Sequence, residues 1–528
     1  MALWLIRGQT GRIDRRDEGV KGREMPPGGL NYASLEQVSA WRFLRHRIAV
    51  AIGRRNVRLV HDPSKNSIAA LRVSFVASIV IVGIFCVIAF IKPQGQIGKS
   101  SMVEARGSNG VYVDVGGTWH PVLNKASARL ITGQAQDPTL VPMSEILKQP
   151  IGPILGIQGA PDDLGVRSPG DTGWSLCDKL GSQGSQVIPR TTVIDGLATL
   201  GDWAHTIVSP EAALMTYGGE NFLVTDGHRS AIDLADKPVT LALGLPVGDL
   251  HPAAMSRALY EALAPTAPLR VPDIPNPGGP VSYASGTLPL VSGSVMKVSD
   301  VTGDPQFFVA LPAGVQRIPQ TVATMIINAA VVPGAQVMVA KSAALTAMPQ
   351  AVGFDTSVYP PGLVKLLDKT NEPVTCVMWR RTNGEPQAQV STISGRRLPI
   401  PVGDERRVVP FVSAGPNTAD EVFVSPNAAN YVQVTGVQAD SKRGESLWFI
   451  GNNGTRFGVP AAGSNGDDQS RQALGLDKGK VTPTPAPWAV IKWLPAGPAL
   501  SKSAALTQHD TLMPDQNAAA IQTPKAGA

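Results

Sequence analysis

Cysteine is scarce in this sequence, which contains only three among 528 residues. A small secreted module stabilised by several disulfides, or an array of zinc ribbons, needs many more. The seven histidines are scattered, with no His-Glu-x-x-His motif and no close Cys/His set, and no Gly-x-Ser-x-Gly elbow occurs. The adjacent carboxylates Asp162-Asp163 and Asp467-Asp468 are typical of solvated loops. The sequence therefore predicts no catalytic residue, no metal site and no cofactor.

Charge is also sparse, at 17% of residues, and it is unevenly distributed. Residues 1–72 contain 14 Lys/Arg and 6 Asp/Glu, whereas residues 73–528 contain 33 Lys/Arg and 35 Asp/Glu. A nucleic-acid-binding protein needs a basic stripe on its folded body, and the larger part of this chain has no basic excess. We therefore expect no nucleic-acid partner.

The remaining composition is that of a folded, β-rich protein. A hydrophobic fraction of 43% excludes a largely disordered chain, and 54 Gly with 45 Pro favour many short strands joined by turns. The length predicts two or three folded units or one large one. A long-helix bundle is not expected.

Residues 73–91 form the longest uncharged run and predict a transmembrane helix. Thirteen of these 19 residues are Ile, Val or Phe, and Arg72 and Lys92 bracket them. At about 1.5 Å per residue the run reaches roughly 29 Å, close to the hydrocarbon thickness of a bilayer. A buried core helix is the alternative. A cleaved signal peptide fits less well because the run starts far from the N-terminus and no small-x-small site precedes Lys92.

The basic excess before this run predicts its orientation. Under the positive-inside rule, the N-terminus lies in the cytoplasm and residues 92–528 lie outside it, with residues 92–512 as the folded domain. The predicted protein crosses the cell membrane once and has a large extracytoplasmic body.

The segment before the span divides into two parts. Residues 1–33 have mixed charge and no apolar period, which predicts a flexible tail. Residues 34–72 predict a cytoplasmic amphipathic, basic segment, whose helix starts at a Ser34/Gln37 capping box and stops at Gly53. This helix packs on a partner subunit, lies on the inner leaflet, or does both.

Strand, turn and helix patterns recur four times in the predicted extracytoplasmic body. They start at residues 111, 222, 307 and 447, with Asp-Gly, Asn-Gly or Gly-Gly turns at three of them. The uneven spacing argues against a fixed-period solenoid and favours four related hairpin-plus-helix units. Chance similarity between ordinary hairpins is the alternative.

Three other stretches have a distinct composition. The proline-rich segments 271–277 and 480–487 predict extended connectors, and residues 513–528 predict a disordered C-terminal tail.

The three cysteines divide between the membrane and the body. Cys86 lies in the span, as an apolar filler. Cys177 and Cys376 lie in the predicted oxidising compartment, where either one disulfide or two separate buried thiols is possible.

Several motifs together give this chain a family resemblance. They are Gly110–Val113 with His120–Asn124, Gly152–Ile157, Met255–Tyr260, Ala486–Trp488 and Leu494–Ser501. With them the chain resembles the EccB family, a membrane component of type VII (ESX) secretion systems, from about Ser34 to His509. The first 30 residues depart from the family pattern.

The resemblance implies a fold and a set of partners. The fold is a single transmembrane helix plus a large β-rich α+β extracytoplasmic body, with four repeat units around a central β core and a Cys177–Cys376 disulfide. The implied partners are EccC-, EccD- and EccE-like membrane subunits, a MycP-like protease, membrane lipid and other copies of the chain itself. The implied function is that of a structural and assembly subunit supporting protein export.

The family has also been described as having ATPase activity, so an extracytoplasmic ATPase is the alternative function. ATP is the one cofactor that the family description suggests. Gly98-Lys99-Ser100 resembles the end of a P-loop, but Pro93 stands where the first glycine belongs and removes a backbone donor. We therefore favour a non-enzymatic role. A third, weaker hypothesis is an ectodomain that binds the cell wall.

Overall fold

The structure is a computed structural model. It describes residues 34–55, 64–91, 96–183, 186–246, 248, 250–284, 288–299, 305–412, 414–460, 467–477 and 479–512. The chain divides into two compact units, Met1–Pro93 and Gln94–Ala528, the second of which we call the body. The tails predicted at 1–33 and 513–528 lie outside the described residues.

The α-helices of the described residues are mostly short outside the first unit. They are α1 (Leu35–Arg54), α2 (Ser64–Ile91), α3 (Lys125–Thr132), α4 (Met143–Ile146), α5 (Lys237–Ala242), α6 (Arg257–Ala262), α7 (Gln320–Asn328), α8 (Ser342–Thr346), α9 (Asp467–Ala473), α10 (Trp488–Ile491) and α11 (Lys502–Ala505). A 3₁₀ turn covers Asp404–Arg407.

The strands of the described residues lie in the body. They are β1 (Met102–Arg106), β2 (Val111–Val115), β3 (Thr118–Val122), β4 (Thr139–Pro142), β5 (Ile154–Leu155), β6 (Thr172–Gln183), β7 (Gln186–Asp195), β8 (Ala204–Thr206), β9 (Glu211–Tyr217), β10 (Glu220–Thr225), β11 (His228–Ile232), β12 (Ala253–Ala254), β13 (Ala264–Pro265), β14 (Val295–Ser299), β15 (Pro305–Leu311), β16 (Gly314–Ile318), β17 (Met338–Val339), β18 (Lys365–Leu366), β19 (Val374–Arg381), β20 (Gln389–Gly395), β21 (Val409–Pro410), β22 (Glu421–Val424), β23 (Tyr431–Thr435), β24 (Leu447–Ile450), β25 (Arg456–Val459), β26 (Thr484–Pro487), β27 (Ala496–Gly497) and β28 (Gln508–His509).

The first unit contains the amphipathic helix and the apolar helix. The capping box is confirmed: Gln37 N donates to Ser34 Oγ at 3.3 Å and Ser34 N donates to Gln37 Oε1 at 3.2 Å. Helix α1 ends at Arg54, one residue beyond the predicted stop, and Arg55 closes it in the left-handed conformation (φ 51°). Helix α2 begins at Ser64, nine residues before the predicted span, because the helix includes the polar residues that precede the apolar run.

The described residues of the body form five sheets. Sheet 1 has the order β28-β5-β3-β2-β1-β4, sheet 2 β12-β9-β10-β11-β13 with β18 also on β9, sheet 3 β16-β15-β14-β17 and sheet 4 β26-β23-β24-β25-β27. The central sheet, β21-β22-β7-β6-β19-β20-β8, collects strands from either side of sheets 2 and 3 in the sequence.

Sheets 1 to 4 share one connectivity. Each starts with a three-strand antiparallel meander, followed by a helix and a strand that pairs in parallel with the first strand (β4 on β1, β12 on β9, β17 on β14, β26 on β23). A second helix follows, and the chain then runs parallel to the third strand: β5 on β3, β13 on β11, a bridge from Val315 to Gln350, and β27 on β25. The sequence patterns starting at 111, 222, 307 and 447 lie on the second strand of each sheet, so each sheet begins one strand earlier than predicted.

The hairpin turns follow from local backbone chemistry. Gly116 and Gly117, between β2 and β3, have φ values of 63° and 86°. A two-residue turn with positive φ at both positions matches the twist of its strands, and glycine adopts that conformation without steric cost.

One prediction near the C-terminus was wrong in part. The second half of the predicted connector at 480–487 forms strand β26. Pro485 and Pro487 are tolerated there because β26 lies at the edge of sheet 4, where a missing N–H need not be replaced.

The packing order of the sheets differs from their order in the sequence. Sheets 1 and 4 share one core, where Leu130 and Leu155 pack with Phe449 and Phe457. Sheets 2 and 4 share a second core with the central sheet around Trp174. Met325 on α7 belongs to the core of sheet 2 and so links sheets 2 and 3. The cores therefore connect sheet 1 to sheet 4, sheets 4 and 2 to each other and to the central sheet, and sheet 2 to sheet 3.

The C-terminal strand closes the body. Gln508 on β28 pairs with Leu155 on β5, and His509 Nε2 donates to the Gly156 carbonyl at 2.9 Å. The end of the described chain therefore returns to the sheet that follows helix α2 in the sequence.

Candidate functional site in the central sheet

The two body cysteines meet in the middle of the central sheet. Strands β6 and β19 are antiparallel neighbours, and their register places Cys177 directly opposite Cys376. A disulfide joins them, with the sulfur atoms 2.09 Å apart and the Cα atoms 4.0 Å apart. Both residues are completely buried. The bond connects positions separated by 199 residues, for which the loop-closure model gives about 5 kcal/mol of stabilisation.

The disulfide lies on one face of the sheet, and tryptophans lie on the other. Cys177 and Cys376 pack with Ile194, Ile393 and Phe423. On the opposite face, Trp174 faces Trp379 across the same pair of strands and contributes to the core shared with sheets 2 and 4. Alternation along the strands thus separates the covalent link from the face on which the neighbouring sheets pack.

Asp178, next to the disulfide in sequence, connects the central sheet to helix α6. Its Oδ2 accepts a hydrogen bond from Ser256 N at 2.6 Å, and its Oδ1 accepts from Ser256 Oγ at 2.7 Å and from Thr191 Oγ1 at 3.2 Å. Ser256 is the N-cap of α6, and its Oγ accepts from Leu259 N at 3.0 Å. Burial raises the pKa of Asp178 to about 6, although these hydrogen bonds oppose the shift.

A second, partly buried network surrounds Lys369. Its Nζ donates to the Val374 carbonyl at 3.0 Å and to Ser394 Oγ at 2.9 Å, and Ser394 Oγ donates to Glu372 Oε2 at 2.7 Å. Burial lowers the pKa of Lys369 to about 8. A lysine beside a serine is also found at hydrolytic sites, but Ser394 is fully buried and its hydrogen is already donated. The network serves structure.

Sequence reasoning missed both networks. Asp178 follows Cys177 directly, but its partner Ser256 lies 78 residues away. A pattern within a single strand gives no signal of such a contact.

The segment that resembles a P-loop does not form a phosphate-binding loop. Gly98 occupies a turn (φ 57°), and Ser100 Oγ donates to the Met102 carbonyl at 2.8 Å, at the start of strand β1. A P-loop needs a glycine-rich loop that opens a helix, so that successive N–H groups surround the phosphates. Here a strand follows instead.

The remaining candidate side chains are separated in the structure. Among the described residues no group of three or more His, Cys, Asp or Glu could hold a metal ion. His120 Nδ1 donates to the Pro153 carbonyl at 2.9 Å, and His205 lies 3.2 Å from Glu211. Asp162 accepts from Lys125 N, the first residue of helix α3, at 2.8 Å, and Asp163 accepts from Gly165 N in a loop at 3.0 Å.

Helix α2 provides the other functional feature. Ala69–Ile88 has a mean hydropathy of 2.6 and is not buried by the rest of the protein. In the described part of the chain this is the one helix that is long and apolar enough to cross a membrane. An apolar helix followed by a sheet-rich body is the arrangement expected of a single-pass membrane component.

Residues 31–514 match the family model described as "Type VII secretion system ESX-1, transport TM domain B". The chain belongs to the EccB family. Its relatives within that family include "ESX-5 secretion system ATPase EccB5" of Mycobacterium marinum, which is 37% identical over 96% of this chain and 100% of the relative. Another is "ESX-2 secretion system ATPase EccB2" of Mycobacterium tuberculosis, which is 36% identical over 94% of this chain and 100% of the relative.

Solved structures extend the similarity to the fold. A chain of an intact ESX-5 inner membrane complex matches with a TM-score of 0.73 and 35% identity, over 94% of this chain and 99% of that chain. A chain of the periplasmic assembly from the ESX-5 inner membrane complex matches with a TM-score of 0.70 and 37% identity, over 81% and 100%. The EccB3 dimer of the ESX-3 core complex matches with a TM-score of 0.67 and 30% identity, over 77% and 100%. The predicted family is thereby confirmed.

Proposed function

We propose that this chain is a structural and assembly subunit of a type VII (ESX) inner-membrane complex, in which its body forms part of the periplasmic portion and supports protein export. The observation that carries the proposal is the match of nearly the whole chain to a subunit of an intact ESX-5 inner membrane complex. The test is purification of the tagged full chain from membranes. Co-purification with EccC-, EccD- and EccE-like subunits is expected, and a chain that always purifies without them contradicts the proposal.

The orientation is part of this proposal. The basic excess before α2 favours an N-terminus in the cytoplasm and a body in the periplasm. A disulfide in the core of the body suits an oxidising compartment. Protease added to intact spheroplasts should digest the body and spare an epitope placed at the N-terminus. The reverse pattern would contradict this orientation.

The proposed domains follow the predicted boundaries. They are a tail (1–33), a cytoplasmic amphipathic segment (34–72), a membrane helix (73–91), a periplasmic domain (92–512) and a C-terminal tail (513–528).

Within the body, we propose that sheets 1 to 4 are four copies of one repeat unit around the central sheet. Their shared connectivity supports this. In sheets 1 to 3, the second strand also carries an aromatic residue five positions before the last residue of the turn that leads to the third strand: Tyr112, Phe222 and Phe308.

Helix α1 is the proposed attachment to the cytoplasmic side. It exposes apolar side chains at helical spacing, among them Trp41 (59% exposed), Leu44 (55%) and Ile48 (52%). A membrane subunit or the inner leaflet can cover this face, and one helix can contact both. Replacing Leu44 and Ile48 with aspartate should detach the chain from its partners or from anionic vesicles, and the affected partner distinguishes the two cases.

Other copies of the chain and a MycP-like protease are the proposed periplasmic partners, in keeping with the solved EccB3 dimer. No cofactor is proposed.

ATP hydrolysis is the rival function, since the EccB relatives are named ATPases. Lys99→Ala in the purified full chain is the discriminating variant, because Lys99 belongs to the one segment that resembles a P-loop. Under the assembly proposal, neither complex formation nor any ATP turnover changes in this variant. Turnover that is proportional to the chain and lost in Lys99→Ala would favour the enzyme.

A further inference from the structure

Sheet 2 carries an exposed cluster of aromatic rings around an arginine. The rings of Tyr217 on β9 and Tyr260 on α6 stack with their centroids 4.5 Å apart. The guanidinium of Arg229 lies 3.7 Å from the centroid of the Tyr260 ring, and its Nε donates to the Tyr260 carbonyl at 2.8 Å. Both tyrosines are half-buried, so one side of the stack is held by the protein and the other faces solvent.

Sheet 4 carries a similar cluster at a corresponding place. Trp448 on β24 and Trp488 on α10 stack with their centroids 5.8 Å apart. The guanidinium of Arg456 lies 4.6 Å from the ring centroid of Trp448 and 5.1 Å from that of Trp488, and its Nε donates to the Leu494 carbonyl at 3.0 Å. Trp488 is 39% exposed, which is unusual for the largest apolar side chain.

A pair of salt bridges connects the two clusters. Glu261, next to Tyr260, accepts from Arg257 Nε at 2.6 Å and from Lys492 Nζ at 2.5 Å. The Lys492 carbonyl accepts from Arg456 Nη2 at 3.4 Å. We call the continuous surface formed by the two clusters and this bridge the aromatic–basic strip.

The strip has uncompensated positive charge. Its four cations are Arg229, Arg257, Arg456 and Lys492, and Glu261 is the one carboxylate among the contacts described above. Arg229 and Arg456 donate to carbonyl oxygens and lie against aromatic rings. The strip therefore has a net charge of about +3 at neutral pH. Residues 73–528 as a whole contain 33 Lys/Arg and 35 Asp/Glu, so this local excess stands out from a nearly neutral body.

The residue types also fit protein recognition. Trp, Tyr and Arg are the side chains enriched in the energetic centres of interfaces, and the two aromatic types offer large contact area with few rotatable bonds. Here every ring and guanidinium is already fixed by the contacts described, so little side-chain entropy is lost on binding. A second copy of the chain docking the same strip would oppose like charges, which is unfavourable.

We propose that the aromatic–basic strip is the docking site for an acidic segment of a different polypeptide in the membrane assembly. This inference rests on the proposed function, because it assumes that the body joins such an assembly. The acidic side chains pair with the strip's cations, and apolar side chains of the same segment cover the exposed rings.

The test places a photo-crosslinking amino acid at position 488 of the full chain, in membranes that contain the whole complex. The expected product is a crosslink to another polypeptide, at a segment with a net negative charge. Arg257→Ala should lower the crosslinking yield about fivefold, and added salt should lower it further. Arg190→Ala is the matched control, because Arg190 forms a comparable ion pair with Glu421 (2.8 Å) between strands β7 and β22 of the central sheet and belongs to neither aromatic cluster.

Several outcomes would overturn the proposal. The first is a crosslink to a second copy of the chain, to lipid, or to a neutral or basic segment. The others are equal crosslinking yields in Arg257→Ala and Arg190→Ala, and the absence of any crosslink. If the complex still co-purifies in these cases, the docking site is wrong while the assembly function stands. Loss of co-purification in the unmodified chain would instead refute the proposed function.

Discussion

Replacing Asp178 with asparagine tests how the central sheet holds its neighbours. The carboxylate accepts three hydrogen bonds in a fully buried position, including two from the N-cap Ser256 of helix α6. Asparagine has nearly the same shape, but one acceptor oxygen becomes an NH₂ group that faces a donor. Leaving one buried donor unpaired costs about 1–3 kcal/mol.

Ionisation of the buried Asp178 destabilises the folded protein, which opposes the gain from its hydrogen bonds, and this effect depends on pH. Burial raises its pKa from 3.8 to about 6 in the folded protein. The stability that this group contributes is therefore fully present below about pH 4 and is lost as the pH rises through about 6. The shift of about two pKa units corresponds to roughly 3 kcal/mol between these limits. Asparagine does not titrate and removes this part of the pH dependence.

The assay is denaturant unfolding of the full chain in detergent, followed by tryptophan fluorescence at several pH values from 4 to 7.5. We expect the free energy of unfolding of Asp178→Asn, relative to that of the wild type, to be lowest near pH 4. This difference should shift in favour of the variant by up to roughly 3 kcal/mol towards pH 7. Asp440→Asn, at an exposed position, is the control and should show no such gain. A constant difference between Asp178→Asn and wild type across this range would refute the reasoning.

Two further predictions concern the same sheet. Replacing both Cys177 and Cys376 with serine should lower the free energy of unfolding, measured by urea unfolding, by about 2–5 kcal/mol. A reducing agent should have no added effect on this variant. Unchanged stability would show that the disulfide constrains the unfolded chain little. Gly395→Ala would place a Cβ 2.5 Å from the Trp203 carbonyl oxygen and should destabilise the body, whereas Gly181→Ala, with nothing within 4 Å of the new Cβ, should not. Equal melting temperatures for the two glycine variants would contradict this packing.

Local features of the fold were accessible from the sequence because their causes are local. The Ser34/Gln37 capping box depends on residues three positions apart, and the structure has it. The Gly116-Gly117 turn depends on positive φ, which glycine marks in the sequence. The apolar run from Val73 to Ile91 is long enough to identify without any tertiary information, although the helix starts earlier, at Ser64.

The assembly of the sheets was not accessible because it depends on distant pairs. Nothing in 508–509 indicates that this short strand pairs with β5, some 350 residues earlier. The central sheet joins segments from 172 to 424 through the antiparallel register that also places Cys177 opposite Cys376. The proposed strip likewise brings Glu261 to Lys492, a contact across 231 residues. Single-sequence patterns cannot reveal contacts of this kind.

Electron microscopy of the membrane complex, purified through a tag on this chain, tests the central claim most directly. With an antibody fragment bound to an epitope in the body, the account predicts that label on the periplasmic side of a large assembly that also contains the EccC-, EccD- and EccE-like subunits. A label on the cytoplasmic side, or particles that contain this chain alone, would contradict it.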